Sequence, residues 1–190
     1  MTPEIEAALE KASTLAEIED IYRPFRPKRR TRASIAKEKG LEPLADAIFA
    51  QAADSASPAE LSADYIDAEK GVETVEDAIN GAMDIIAENI SDDADIRRRL
   101  RSLFTVAGVL QSRAADSEKE SVYTMYYEYD EPVNKIAGHR VLAVNRGENE
   151  GFLKVGIDVD RIKALNIINA NVLSDNGSAC TDTVRDAAVD

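Results

Sequence analysis

The 190-residue chain has one cysteine, one histidine and no tryptophan, and aromatic residues make up only 5% of it. Cys180 cannot form an internal disulfide, which points to a reducing compartment. It sits in Gly177-Ser-Ala-Cys180-Thr with no neighbouring histidine, a setting for a structural thiol and not for a paired nucleophile. One His and one Cys cannot supply the usual zinc ligand sets. No apolar run approaches the roughly 20 residues of a membrane helix, and the opening Met-Thr-Pro-Glu-Ile-Glu lacks a charged-then-apolar leader pattern. These absences predict a cytoplasmic protein with no membrane partner and no cofactor.

Catalytic signatures are also scarce. Neither a Gly-x-Ser-x-Gly elbow nor a phosphate-cradling glycine loop followed by Lys and Ser or Thr occurs. His139 lies beside Arg140 at an expected helix start, where a structural hydrogen-bonding role is the ordinary one. Asp92, Asp93 and Asp95 resemble part of a calcium loop but lack its glycine and terminal glutamate, so helix capping accounts for them better. Asp158 and Asp160 would share one side of a strand, and no second acidic cluster joins them to suggest magnesium. A non-enzymatic protein is expected, with no catalytic residue and no metal site.

What the chain does have is charge, sorted along its length. Hydrophobic residues make up 44% and charged residues 31%, as in an ordinary globular protein, and the net charge is -13. Arg23 to Lys39 nevertheless holds eight cations against the single acid Glu38, a local charge of +7. Pro24 and Pro27 stiffen this segment and discourage helix at the residue before each. A second cluster, Arg97-Arg98-Arg99 with Arg101, lies on an expected helix opposite Leu100, Leu103 and Phe104. Two readings of the basic segment stand. Its cations can neutralise phosphates, giving affinity that falls with salt, or they can pair with the chain's own acids and hold helices together. The acidic surplus favours the second at long range.

Periodicity predicts a mainly helical, all-α array with at most a short strand or hairpin near 152–158. Capping boxes at Thr14-x-x-Glu17 and Thr74-x-x-Asp77, and Ser57-Pro58-x-Glu60, start helices. Ser34 to Lys39 reads as a short helix stopped by Gly40, and Leu41 to Phe49 as another. Ser91 reads as a cap, and residues 75–111 as a helical hairpin. Tyr123, Met125, Tyr126, Tyr127 and Tyr129 read as a packed helix face, because the adjacent Glu128, Asp130 and Glu131 would repel phosphate. Gly138-His139-Arg140 opens a helix that stops near Gly147. Phe152 to Ile157 alternates as a strand, and 161–173 has an ambiguous period. The expected division is 1–111, a helical array carrying the basic segment 23–39, and 112–190, helical with a short strand.

Glu19-Asp-Ile-Tyr-Arg-Pro-Phe-Arg-Pro-Lys-Arg-Arg-Thr-Arg-Ala33 and Ala36-Lys-Glu-Lys-Gly-Leu-Glu-Pro-Leu-Ala45 closely resemble the signature of the bacterial Tex family of transcription accessory proteins. Glu76-Asp-Ala-Ile-Asn-Gly-Ala-Met-Asp-Ile-Ile-Ala-Glu88 with Arg97 to Arg101, and His139-Arg-Val-Leu-Ala-Val-Asn-Arg-Gly-Glu148 leading to Gly151-Phe-Leu-Lys-Val155, resemble later blocks of that family in the same order. The resemblance covers about residues 14 to 157 and is weak over 158–182. It implies a truncated piece of the helical amino-terminal region of a larger protein, with an OB-type domain elsewhere as the principal nucleic-acid binder. Under it, Arg26, Lys28, Arg29, Arg30 and Arg32 are the expected phosphate contacts. The expected partners are RNA or DNA, other domains of the full-length protein and the transcription machinery. The competing expectation is a helical scaffold whose arginines form internal salt bridges.

Overall fold

Local chemistry starts four of the helices. Thr14, Thr31, Ser57 and Thr74 each accept a bond from the backbone N–H three residues on, and the side chains of Glu17, Ser34, Glu60 and Asp77 accept one from the cap backbone N–H. In the computed structural model, which describes residues 3–25 and 30–189, these caps open α2 (Leu15–Tyr22), α3 (Arg32–Glu38), α5 (Pro58–Ser62) and α6 (Val75–Asp92). α1 (Pro3–Lys11) precedes them, and α4 (Glu42–Ala50) lies between α3 and α5. Gly40 adopts φ +85°, the left-handed turn expected after α3. The chain continues through α7 (Ala94–Ala107), β1 (Val109–Ala114), β2 (Glu128–Pro132), α8 (Gly138–Asn149), β3 (Leu153–Asp158), α9 (Arg161–Val172) and α10 (Thr181–Ala187). The protein is therefore mainly helical with a small sheet.

The chain forms two units, one of residues up to Arg98 together with Leu165 onward, the other Arg99–Ala164. The first is built around α6, which packs against α3, α4, α5 and α10. Its inward stripe is Ala78, Ala82, Ile85, Ile86 and Ile90, all buried at helical spacing. Leu41, Leu44 and Ile48 meet it from the α4 side, and Val184 and Ala187 are buried on α10.

Gln51 ties residues after α9 into this core. It ends α4 in the left-handed region (φ +46°), is almost fully buried, and donates from Nε2 to Val172 O at 2.8 Å. Its Oε1 accepts from Ser174 N at 3.1 Å, and its backbone carbonyl accepts from Asn176 Nδ2 at 2.8 Å. Cys180 is buried nearby in sequence, its Sγ 3.5 Å from Ser55 Oγ.

The second unit carries an antiparallel sheet of order β2-β1-β3. Two of its strands depart from the sequence expectation. Leu110 continues the apolar stripe of α7, so the helix reads through to 111. It stops at Ala107 because Gly108 weakens the helix, and residues 109–114 gain ladder bonds on both edges. The tyrosines are packed as expected, but on a 3-10 turn (Thr124–Tyr126) and β2, not on a helix face. Tyr126 and Tyr129 meet edge-on with ring centres 5.2 Å apart, and Tyr123 lies 5.8 Å from Phe152. Tyr123, Tyr126, Leu110, Val144 and Leu153 form the buried core. α8 continues past Gly147, because the missing side chain there lets Leu153 lie directly on the helix.

Outward-facing groups hold the strands in register. Arg113 makes a bidentate pair with Asp130, Nη1 to Oδ1 at 2.7 Å and Nη2 to Oδ2 at 2.9 Å. Arg140 Nη1 donates to Glu131 at 2.9 Å, and the Tyr129 hydroxyl also donates to Glu131. The Arg113 guanidinium holds Asp130 below the ordinary carboxylate range, and the Tyr129 hydroxyl followed by Arg140 does the same for Glu131. Burial, then the bond to Glu131, pushes the Tyr129 hydroxyl up.

Two outcomes follow. Ile86→Ala, which empties part of the α6 stripe, is expected to lower unfolding free energy by about 3 kcal/mol in urea titrations. Asp130 and Glu131 have folded pKa values below their unfolded ones. Their contribution is thus complete above the ordinary carboxylate range and is lost as pH falls through the depressed values. Thermal melts should show stability falling below about pH 4, with a shallower acid dependence in Asp130→Asn.

Candidate nucleic-acid interface

Described residues of the basic segment meet one face of α6. Asp84, Glu88 and Asp92 recur every fourth residue, and like charges at that spacing destabilise a bare helix. Each meets a group from the segment. Arg32 Nε lies 3.3 Å from Asp84 Oδ1, Thr31 Oγ1 donates to Glu88 Oε1 at 3.0 Å, and Arg23 Nε donates to Asp92 Oδ1 at 2.8 Å. Arg23, Thr31 and Arg32 thus meet α6 in reverse order, along about 12 Å at 1.5 Å per residue.

The cations differ in burial. Asp92 and Asp20 are both buried, and their partners Arg23 and Arg97 reach them from less buried positions. Arg97 Nε donates to Asp20 Oδ1 at 2.6 Å and Nη1 to Ser91 O at 3.3 Å. Arg30 and Arg32 instead have side chains 73% and 70% exposed, and Arg30 meets Glu38 at 3.6 Å. The Arg30–Glu38 pair, exposed on both sides, contributes about 0–1 kcal/mol, so a phosphate can displace it at little cost. Lys37 pairs with Glu42 at 3.1 Å, and Lys39 Nζ donates to Gly71 O at 2.7 Å.

Of the expected phosphate contacts, Arg30 and Arg32 lie together at the start of α3, and Arg26, Lys28 and Arg29 fall outside the described residues. The second cluster divides. Arg97 turns inward to Asp20, while Arg98 pairs with Asp95 one turn away at 2.7 Å. Asp93, not Ser91, caps α7 by accepting from Ile96 N at 2.8 Å. Asp160 caps α9 by accepting from Ile162 N at 2.9 Å. His139 is exposed in the first turn of α8, and Asp158 is exposed at the end of β3. No helix among the described residues is long and apolar enough to cross a membrane.

α2 presents the unexpected face. Leu15, Ile18, Ile21 and Tyr22 recur at helical spacing, yet Leu15, Ile18 and Tyr22 are exposed, Ile21 is half-buried, and the buried residue of the helix is Asp20. The pair with Arg97 turns that side inward. Phe25, in the 3-10 turn that follows, is exposed as well. Sequence periodicity carried no sign of this, because the inward carboxylate depends on an arginine 77 positions away. The acid ladder on α6 was open to discovery from its i, i+4 spacing.

A family model described as "Tex central region-like" matches residues 53–187. The chain belongs to the Tex family. It is 48% identical over 170 residues to the uncharacterized protein YdcI of Bacillus subtilis, covering 86% of this chain and 23% of that protein. It is 38% identical over 164 residues to Protein tex of Bordetella pertussis, covering 84% and 20%. With S1 RNA-binding domain-containing protein 1 of Homo sapiens it shares 29% identity over 163 residues, 80% of this chain and 16% of that protein. The chain therefore spans about a fifth of the length of the Tex-family relatives it matches. The family model begins after the basic segment and does not cover Arg23 to Lys39.

The division between buried and exposed cations is measurable. Arg97→Ala, which removes the main cation from a buried carboxylate, is expected to cost about 2 kcal/mol in urea unfolding. Arg30→Ala should change stability by no more than about 0.5 kcal/mol.

Proposed function

We propose that this chain is a non-enzymatic nucleic-acid-binding module of a Tex-family transcription accessory protein, with phosphate contacts from Arg26, Lys28, Arg29, Arg30 and Arg32. The observation that carries the proposal is the sorting of charge. Arg23 and Arg97 serve buried carboxylates, whereas Arg30 and Arg32 are exposed in the middle of a segment of charge +7. Relatives named Transcriptional accessory protein Tex, in Neisseria gonorrhoeae, and S1 RNA-binding domain-containing protein 1 support the same direction. The net charge of -13 repels a polyanion at a distance, so binding is short-ranged and salt-sensitive. In the full-length protein this module works in the cytoplasm beside other domains and the transcription machinery, where stronger binding elements add to its affinity.

A second reading, a helical scaffold for interdomain or protein contacts, draws on the Arg23–Asp92 and Arg97–Asp20 pairs. Affinity for single- and double-stranded DNA and RNA across a salt series separates the two. Binding whose log–log salt slope flattens by about 0.7–0.9 for each phosphate contact removed, on changing Lys28, Arg29, Arg30 and Arg32 to Ala, supports the binding module. Absence of binding at low salt, with a lowered melting temperature in the same variant, establishes the scaffold instead.

A further inference from the structure

Of the six tyrosines and four phenylalanines, Tyr22 and Phe25 combine exposure with adjacency to the basic segment. Tyr22 is 56% exposed and Phe25 59%. The tyrosines of the second unit cannot serve a ligand in this way, since Tyr123 and Tyr126 are buried in its core beside acidic residues. Tyr22 ends α2 and Phe25 closes the 3-10 turn directly after it, with Arg23 still in helical conformation between them. Residues three apart in such a turn project to the same side. Neither ring takes part in the aromatic pairs of the second unit.

The surroundings suit an anionic ligand that also carries flat rings. Asp20 and Asp92 are already engaged, by Arg97 and Arg23, which leaves Glu19 as the exposed acid one turn before Tyr22. The α6 ladder lays Arg23, Thr31 and Arg32 along about 12 Å, with the aromatic pair at the Arg23 end and exposed Arg30 and Arg32 at the other. Aromatic faces beside a cationic track are what unpaired bases and their phosphates require. A duplex, with its bases stacked on each other, can use only the cations.

We propose that Tyr22 and Phe25 stack on unpaired bases, making this a site for single-stranded nucleic acid of a few nucleotides with its phosphates on Arg30 and Arg32. The proposal rests on the nucleic-acid reading above and adds strand selectivity to it. Both rings are solvent-exposed, so their loss should leave the fold intact.

The test uses the 190-residue chain with a short oligothymidylate, an oligouridylate of equal length and a blunt duplex at low salt. Tyr22→Ala/Phe25→Ala is expected to bind both single strands at least about tenfold more weakly while duplex affinity and melting temperature stay unchanged. The chain has no tryptophan, so Phe25→Trp installs the only indole, and its emission should be quenched as a single strand saturates the site. The preferred oligonucleotide then distinguishes DNA from RNA. Unchanged single-strand affinity in the double variant, or unchanged emission at saturation, overturns stacking while leaving the phosphate reading standing. Equal losses on single strands and duplex, accompanied by a lower melting temperature, overturn it as well by assigning the rings to packing. No binding of any probe by the unmodified chain removes both readings.

Discussion

Two carboxylates with almost no access to water, Asp20 and Asp92, set the terms for the first unit. A buried carboxylate without a cation costs several kcal/mol, so each must find an arginine. Arg97 and Arg23 supply them from opposite directions in sequence, one from α7 and one from the start of the basic segment. Much of the surface depends on those two bonds. With Asp20 turned inward, Leu15, Ile18 and Tyr22 of α2 must face outward. With Arg23 held on Asp92, the turn carrying Phe25 starts from a fixed point on α6.

The same bonds divide the described arginines of the basic segment by what they meet. Arg23 reaches a buried acceptor at hydrogen-bonding distance, and Thr31 reaches Glu88. Arg30 and Arg32 make longer ion pairs from exposed side chains. A chain of net charge -13 needs this arrangement. Its own acids hold Arg23, Thr31 and Arg32 against α6, and the side chains of Arg30 and Arg32 retain access to solvent.

Much of the helical plan was legible in the sequence because its signals are local. A Thr or Ser three residues before a Glu or Asp satisfies backbone groups within one turn, whatever surrounds it. The α6 stripe and the alternation of residues 153–158 are likewise short-range patterns. Where expectation and structure part, the deciding partner is distant. β1 reads as helix because Leu110 suits both periods, and only β2 and β3 on its two edges select the strand. β2, with the sequence Glu-Tyr-Asp-Glu-Pro, looks unlike a strand until Arg113 and Arg140 neutralise its acids. Gln51 looks like an unremarkable polar residue between helices, yet Val172, Ser174 and Asn176 make it a buried junction.

By itself, the sequence determined the family, the mainly helical class, most helix starts and the location of positive charge along the chain, since each is encoded within a few neighbouring residues. Tertiary structure alone decided which of those charges are committed to buried acids and which remain exposed, and which side of α2 faces water. The physical reason is that pairing a buried charge requires a partner brought from far along the chain, and residue spacing carries no record of that meeting. The proposed interface belongs to that level, with Arg30, Arg32, Tyr22 and Phe25 exposed while Arg23 and Arg97 are paired to buried carboxylates.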